Sequence, residues 1–277
     1  MSIRLLIKFI ISCLCICSII TLVSKPSAED YKKNYGHKWE QYDSSYFLKF
    51  QCVNDIIAAA DKHFDVSKLN TLDYYNYVAA IIRKRFYHGY SYYKIKDNPI
   101  AFLSGMLIWN NLSAIVLPDD ILKHPMAACS QQSIVLMEVF KKKGINFRKV
   151  GFDHHYAAEG WIDGGWRYFD TDLEPEIQDS RVSLNNLMDH NKFDSVYKNI
   201  NIDNIEFHKL LAHQYYGKIN KTPAFKARYF HQFCYFIISK YFLFCAILLM
   251  ILFNRKEPFK ISVSGLRTVR ALILFKK

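Results

Sequence analysis

The central part of this 277-residue chain lacks the cysteine pairs that a disulfide framework needs. Five of the seven cysteines lie in apolar runs near the two ends, which leaves only Cys52 and Cys129 between those runs. One possible pair does not make a disulfide scaffold. If Cys129 is reactive, Cys52 is most simply a buried apolar residue on the helix around it.

Acidic residues are also scarce, at 25 against 37 lysines and arginines, so the formal net charge is +12. No recognised nucleic-acid-binding motif accompanies this charge, which therefore favours membrane topology and contact with anionic lipids over a nucleic-acid partner. The sequence has no internal repeats and no low-complexity linkers. Residues 29–228, about 200 in number, are accordingly predicted to form one domain of ordinary size.

The hydrophobic content of this chain, 51%, is high for a purely soluble protein. An apolar run near each end accounts for the excess. The first run, Phe9 to Val23, follows a short basic segment and precedes small and then polar residues. It is shorter than the ~20 residues of a spanning helix. Residues 1–28 are therefore predicted to be a cleaved signal peptide, with an uncleaved signal anchor as the alternative.

The second run, Phe233 to Phe253, is long enough to cross a bilayer and predicts a transmembrane helix over residues 229–254. The tail that follows, residues 255–277, is rich in lysine and arginine. The positive-inside rule puts such a tail in the cytoplasm. The domain is then expected to be membrane-anchored and outside the cytoplasm, on the periplasmic or extracellular side.

Apolar residues at three- and four-residue spacing predict amphipathic helices over Tyr46 to Phe64 and Leu72 to Phe86. The tyrosine-rich stretch His88 to Tyr93 follows, either as an interface between helix and sheet or as one wall of a substrate cleft. Pro125 opens another helix, whose apolar face runs to three lysines and Gly144, a helix stop signal. Cys129 is therefore expected in or just before the first turn of that helix.

Three strands are predicted after this helix, and they make the chain α+β. They are Phe147 to Phe152, His155 to Ile162 and Trp166 to Asp170, with Asp163-Gly164 as a hairpin turn between the last two. From Asp179 to Lys218 the pattern is mixed and polar, and short helices and loops that cover the core are expected there.

The length of the hairpin turn decides which histidine lies near Asp170. A two-residue turn pairs Ile162 with Gly165 and puts Asp170 diagonally across from His155, within side-chain reach. A three-residue turn would put Asp170 on the face of His154 instead. A helix N-terminus favours thiolate over thiol, so Cys129 with a carboxylate-oriented histidine would have what a cysteine nucleophile needs.

Four segments resemble the transglutaminase-like, papain-like cysteine domain family, over Pro125 to about Pro175. In that family a cysteine heads a helix, a Gly-Ile-x-x-Arg segment follows, a histidine is followed four residues later by glutamate, and an aspartate comes four residues after a tryptophan. The matching segments are Ala128-Cys129-Ser130-Gln131-Gln132, Gly144-Ile145-Asn146-Phe147-Arg148, His155-Tyr156-Ala157-Ala158-Glu159 and Trp166-Arg167-Tyr168-Phe169-Asp170. The spacing to Glu159 favours His155 over His154.

The resemblance implies a bacterial membrane-associated enzyme with a papain-like α+β core, in which the cysteine helix packs on an antiparallel sheet. Cys129 would be the nucleophile, His155 the base and general acid, and Asp170 the group that orients the imidazole, with Asp172 as its substitute. The substrate would be a peptide or protein, or a cell-envelope polymer, and no cofactor is implied. Ala127 and Ala157 depart from the family, in which many members have a glycine and an aromatic residue at these positions.

Two details of the site follow from the same comparison. The oxyanion hole is expected to combine the backbone N–H of Cys129 with one side-chain donor, for which Trp109, Gln131 and Gln132 are candidates. Glu159 is expected to be structural and to pair with Arg148 or with a tyrosine near the site.

Two other functions compete with catalysis. His124, Cys129, His154 and His155 are all possible zinc ligands, but their spacing fits no closed Cys/His pattern, so no metal is expected. The alternative that keeps the fold is an inactive, membrane-anchored binding or assembly module for envelope peptides or glycans.

Overall fold

The structure is a computed structural model that describes residues 5–10, 12, 13, 16, 19, 40–173, 181–189, 197, 213–237 and 251. The chain divides into two units, one spanning Ser24–Cys234 and the other made of Met1–Val23 and Tyr235–Lys277. The Ser24–Cys234 unit contains helices and a four-stranded antiparallel sheet, so the predicted α+β class is confirmed.

Short and medium helices make up much of the rest of the described chain. The α-helices are α1 (Ser44–Lys49), α2 (Val53–His63), α3 (Leu72–Arg85), α4 (Pro99–Leu107), α5 (Pro118–Ile121), α6 (Cys129–Lys142) and α7 (Leu184–Asp189), and residues 225–237 are also helical. Two 3₁₀ turns lie at Val66–Lys68 and Asn110–Leu112. The strands are β1 (Phe147–Gly151), β2 (Tyr156–Ile162), β3 (Gly165–Phe169) and β4 (Tyr215–Tyr216), in the order β3-β2-β1-β4.

The predicted helix over Tyr46 to Phe64 is two helices, so that prediction is wrong in its continuity. The Asp55 carboxylate accepts hydrogen bonds from the backbone N–H groups of Gln51 and Cys52, at 2.8 and 2.9 Å. These bonds fix a new helix start, with Cys52 as the N-cap residue of α2. Cys52 is therefore partly exposed and precedes its helix, whereas a buried position on the helix was expected.

The hairpin and its register match the prediction. Ile162 pairs with Gly165, which makes Asp163-Gly164 a two-residue turn. Both turn residues have positive φ, 50° for Asp163 and 75° for Gly164, the conformation of a type I′ turn. The Asp163 carboxylate also accepts a bond from the Leu72 backbone N–H at 3.0 Å and so caps the start of α3.

Helix α6 packs on strands β1 and β2, so the cysteine-bearing helix lies against the antiparallel sheet. Phe140 is fully buried at this interface and its ring contacts Tyr75 and Phe169, with centroids 5.1 and 5.6 Å apart. A Cβ at Gly160 would lie 2.9 Å from the Phe140 ring, so β2 needs glycine there. The helix ends at Lys142, and Gly144 follows with φ 73°, as the stop signal predicts.

A buried ion pair joins strands β1 and β2, which carry Arg148 and Glu159. Glu159 is fully buried and its Oε2 accepts a bond from Arg148 Nε at 2.7 Å, while Oε1 accepts the Leu184 backbone N–H at 2.8 Å. The expected pairing of Glu159 with Arg148 is present, and the same carboxylate caps α7.

The predictions for the two ends fall mostly outside the described residues. Of residues 1–28 the structure describes ten positions, all helical, and of 229–254 it describes 229–237 and 251. Within the described part of the chain, no helix combines the length and the apolar character that crossing a bilayer requires. Much of Asp179 to Lys218 is likewise undescribed; its described residues include the short helix α7 and the two-residue strand β4.

Candidate active site

Cys129 is the first residue of α6, as the sequence predicts, and its side chain is buried. The segment before it is held by two sets of bonds. The guanidinium of Arg85, fully buried, donates to the carbonyl oxygens of Phe50, Leu122 and His124. Tyr87 forms a bridge to Met126, with Tyr87 N–H donating to Pro125 O and Ala127 N–H to Tyr87 O, both at 3.1 Å.

Gln131 fixes the start of α6 to the chain segments beside it. Its Oε1 accepts the backbone N–H of Ser91 at 2.9 Å and of Ala128 at 3.2 Å. Its Nε2 donates to the carbonyl oxygens of Ser91 at 2.9 Å and Ile115 at 2.8 Å. All four hydrogen-bonding positions of this buried amide are therefore used in holding backbone.

The histidine and the aspartate meet at the open end of the hairpin, because His155 precedes β2 and Asp170 follows β3. His155 Nε2 lies 2.6 Å from Asp170 Oδ2, and both side chains are buried. Tyr197 donates to the same carboxylate oxygen at 2.7 Å, and the backbone N–H groups of Asp172 and Leu173 donate to Oδ1 at 3.1 and 3.0 Å. His154 is exposed, so the pairing belongs to His155.

These contacts set the charge states of the pair. Burial lowers the pKa of His155, but the charge and hydrogen bond of Asp170, together with the interaction with Cys129, raise it well above its ordinary value. Burial raises the pKa of Asp170, and the charge of His155 and the donors around the carboxylate more than reverse this, so the net shift is downward. His155 is thus favoured as imidazolium and Asp170 as carboxylate.

Cys129 completes the group. Its Sγ, one ring nitrogen of His155 and one carboxylate oxygen of Asp172 all lie within 4.8 Å of one another. Because Nε2 of His155 is committed to Asp170, Nδ1 is the ring atom that faces the thiol. The structure therefore brings the three predicted residues together, with His155 between Cys129 and Asp170.

No protein-family model matches this chain, and neither a curated protein nor a solved structure matches it. Its function has to be argued from the site itself.

Asp172 belongs to a second histidine–aspartate pair beside the first. His88 Nδ1 lies 2.8 Å from Asp172 Oδ2, and Gln132 Nε2 donates to Asp172 Oδ1 at 2.7 Å. The hydrogen bond to Asp172 raises the pKa of His88. Asp172 was expected only as a substitute for Asp170; it instead has its own partners while remaining close to Cys129.

The tyrosine-rich stretch contributes to both the core and the site. Tyr87 and Tyr93 are buried, whereas Tyr90 is exposed. Ser130, the residue after Cys129, donates a hydrogen bond from its Oγ to the Tyr90 hydroxyl at 3.3 Å. Across the site, the charge of Cys129 contributes to the raised pKa of Tyr156, behind the hydrogen bond from Tyr215 and burial. Tyr87 and Tyr93 thus belong to the core, and Tyr90 lies beside the start of α6; the cleft-wall interpretation of the stretch stays a prediction.

The candidate oxyanion donors do not behave alike. Gln131 is fully engaged with backbone, and Gln132 Nε2 already donates to Asp172 and to Ala127 O at 3.1 Å. Trp109 is largely exposed beside the 3₁₀ turn Asn110–Leu112. The donor that the fold does present is the backbone N–H of Cys129, because the first N–H groups of a helix have no intrahelical partner.

His124, another histidine considered as a zinc ligand, has a structural role. Burial lowers the pKa of His124 to about 4, and the Arg85 guanidinium donates to its carbonyl oxygen at 3.0 Å. The donors that do converge are Cys129, His155 and Asp172. His155 and Asp172 already have protein hydrogen-bond partners, so the group is a weak candidate for a metal centre.

Sequence reasoning missed four side chains of the site: His88, Gln132 as the partner of Asp172, Tyr156 and Tyr197. Gln132 lies one turn after Cys129 and is the one that helical spacing identifies as a neighbour. Tyr197 comes from a stretch without a clear pattern, and no local signal marks it.

Proposed function

We propose that this chain is a transglutaminase-like cysteine enzyme that acts on an amide or peptide bond through a thioester intermediate. The proposal includes a papain-like core and a membrane anchor, with the domain outside the cytoplasm. Its main support is the placement of His155 between the Cys129 thiol and the buried, fully hydrogen-bonded Asp170 carboxylate.

The chemistry follows from these positions. The Cys129 thiolate attacks the carbonyl carbon, and the oxygen gains negative charge near the helix N-terminus, where the Cys129 N–H can donate to it. The tetrahedral intermediate expels the amine, which takes the proton from Nδ1 of His155 as the C–N bond breaks. Water or a second amine then attacks the thioester, His155 accepts its proton, and the thiolate leaves.

Asp170 holds the imidazole of His155 in one orientation throughout this cycle. Its bond to Nε2 leaves Nδ1 as the nitrogen that exchanges protons with the thiol and the leaving group. The bonds from Tyr197 and from two backbone N–H groups hold the carboxylate itself in place.

The test is the alkylation rate of Cys129 by iodoacetamide in the full chain, measured peptide by peptide with mass spectrometry. Cys52 is an internal control, because it also stands at a helix N-terminus and is more exposed, but among the described residues no ion pair or hydrogen bond joins its thiol to a histidine. We expect Cys129 to react at least about tenfold faster near neutral pH, since only the thiolate is nucleophilic.

Two further variants make the result specific. His155→Gln should remove the advantage of Cys129 while leaving the Cys52 rate unchanged, and Cys129→Ala should abolish the phenotype of the chain in its host. A Cys129 rate no greater than that of Cys52, or no effect of His155→Gln, would favour the inactive binding module over the enzyme.

A further inference from the structure

Two groups of large apolar side chains are exposed on the Ser24–Cys234 unit. Four are consecutive, Met106 to Trp109, where α4 ends, and three are Phe225, Tyr229 and Phe233 on the helix at residues 225–237. Their exposures range from 60% to 78%. Exposed apolar surface of this kind marks a region that contacts a partner or a membrane.

The helix that carries the second group is fixed beside the loop that carries the first. His231 Nε2 donates to the carbonyl oxygen of Leu112 at 2.8 Å, three residues after Trp109. His231 and Cys234 are buried against the domain. At 100° per residue this buried side leaves Phe225, Tyr229 and Phe233 on the opposite, outward side of the same helix.

A basic groove of about 660 Å³ adjoins this apolar surface. Lys141, Lys218, Lys221 and Arg228 line it together with Phe225 and Tyr229. Glu138 offsets part of this charge, by pairing with Arg228 at 3.0 Å and with Lys141 at 3.9 Å. Lys218 and Lys221 are exposed, and in the described part of the chain neither forms an ion pair, so the groove is complementary to an anion.

We propose that the loop Met106–Trp109 and the helix at residues 225–237 rest on a lipid bilayer, with Met106–Trp109 and the Tyr229 and Phe233 side chains in the interfacial layer and the groove binding the phosphate of an anionic phospholipid headgroup. Tryptophan and tyrosine favour the membrane interface, and basic residues close to it attract anionic lipid. The inference rests on the membrane anchor of the proposed function and does not depend on the thiol chemistry.

The spacing along the chain agrees with this placement. The apolar run of the sequence begins at Phe233, four residues after Tyr229 and five after Arg228. At 1.5 Å per residue these separations are about 6 and 7.5 Å along the helix. The headgroup layer on each side of a bilayer is about 5 to 7.5 Å thick, so the Tyr229 and Arg228 side chains fall at headgroup level if the bilayer core begins near Phe233.

The first experiment tests contact with the membrane. The full chain is reconstituted into phosphatidylcholine vesicles containing lipid brominated on the acyl chains, and quenching of tryptophan fluorescence is measured. We expect Trp109→Phe to remove most of the quenched signal. Trp161→Phe, a change at another exposed tryptophan, is the matched control and should leave it. If Trp109→Phe removes no more quenching than the control, the apolar surface does not enter the bilayer.

The second experiment identifies the anion. Native mass spectrometry of the full chain in detergent counts retained phosphatidylglycerol and phosphatidylcholine, with inorganic phosphate as competitor. We expect at least a tenfold preference for phosphatidylglycerol, lost in Lys218→Glu/Lys221→Glu but kept in Lys62→Glu/Lys68→Glu, a pair of exposed lysines elsewhere. Equal retention of both lipids would overturn the headgroup assignment. Displacement by inorganic phosphate at equal concentration would show a site for free phosphate instead.

Discussion

Replacing Gln131 by leucine should destabilise the domain strongly although Gln131 takes no part in the chemistry. The amide satisfies four backbone groups, and Ser91 O would keep a second partner, the Ile115 N–H at 3.1 Å. Three groups therefore lose a partner: the N–H of Ser91, the N–H of Ala128 and the carbonyl of Ile115. At about 1 kcal/mol for each buried group, the free energy of unfolding falls by about 3 kcal/mol.

Thermal unfolding of the full chain in detergent measures this loss. For a domain of this size about 3 kcal/mol corresponds to a fall in Tm of roughly 6 to 12 °C. Ser130→Ala is the control, since its hydroxyl makes only an exposed bond to Tyr90, and it should change stability by less than about 0.5 kcal/mol. A Gln131→Leu variant that unfolds within 1 °C or so of the wild type would refute the reasoning.

Gln131→Glu separates the role of hydrogen bonding from that of shape. The glutamate is isosteric and keeps the two acceptor bonds at one oxygen, but its other oxygen replaces the two N–H donors and faces the carbonyl oxygens of Ser91 and Ile115, and the change buries a charge. Because burial disfavours the charged form, the destabilisation should shrink as the pH is lowered from 8 to 5. A loss of stability that does not change with pH would mean that packing, and not the amide bonds, carries the effect.

Three further changes test the site and the fold around it. Asp170→Asn should lower Tm most between about pH 4 and 6.5. The raised pKa of His155 adds stability that is complete below its unfolded value and is lost as the pH rises through the folded one, and the lowered pKa of Asp170 adds stability that is complete above its unfolded value and is lost as the pH falls through the folded one. A difference in Tm that grows at alkaline pH would contradict this. Glu159→Gln should lower the free energy of unfolding by about 2 kcal/mol, since a buried charge-assisted bond is weakened, and an unchanged Tm would show that the pair is energetically neutral. Treatment with a chelator should leave the alkylation rate of Cys129 unchanged, whereas a marked increase would reveal a metal held by Cys129, His155 and Asp172.

The sequence predicts best where one short stretch determines its own structure. The turn Asp163-Gly164 specifies a hairpin because only the type I′ geometry suits two residues at positive φ, and the register of Ile162 against Gly165 follows from it. That register brings Asp170 toward His155. The start of α6 at Cys129 and its end before Gly144 are similarly local.

Predictions fail where distant residues decide. The start of α2, which interrupts the continuous apolar pattern, also depends on Asp119, whose Oδ1 accepts the Val53 backbone N–H at 2.9 Å from 66 positions away along the chain. The role of Gln131 depends on Ser91 and Ile115, 40 and 16 positions away along the chain. Tyr197 reaches Asp170 from a separation of 27 residues. Periodicity does not encode these contacts, because each one exists only after the chain has folded.

The second pair, His88 and Asp172, bears on the thiolate that the proposed function requires at Cys129. Asp172 has a carboxylate oxygen within 4.8 Å of the Cys129 sulfur, where an uncompensated negative charge would disfavour the thiolate. His88 at 2.8 Å, with its raised pKa, offsets that charge. His88→Gln should therefore slow alkylation of Cys129 about tenfold at neutral pH.

The double variant His88→Gln/Asp172→Asn decides between electrostatics and structure. Removing the carboxylate removes the repulsion, so the double variant should recover most of the wild-type alkylation rate, while the asparagine oxygen can still accept the bond from Gln132 Nε2. A purely structural role of His88 would leave the double variant as slow as the single one or slower. Recovery would mean that each carboxylate near Cys129 is matched by its own histidine, Asp170 by His155 and Asp172 by His88, and that this balance lets the helix N-terminus stabilise the thiolate.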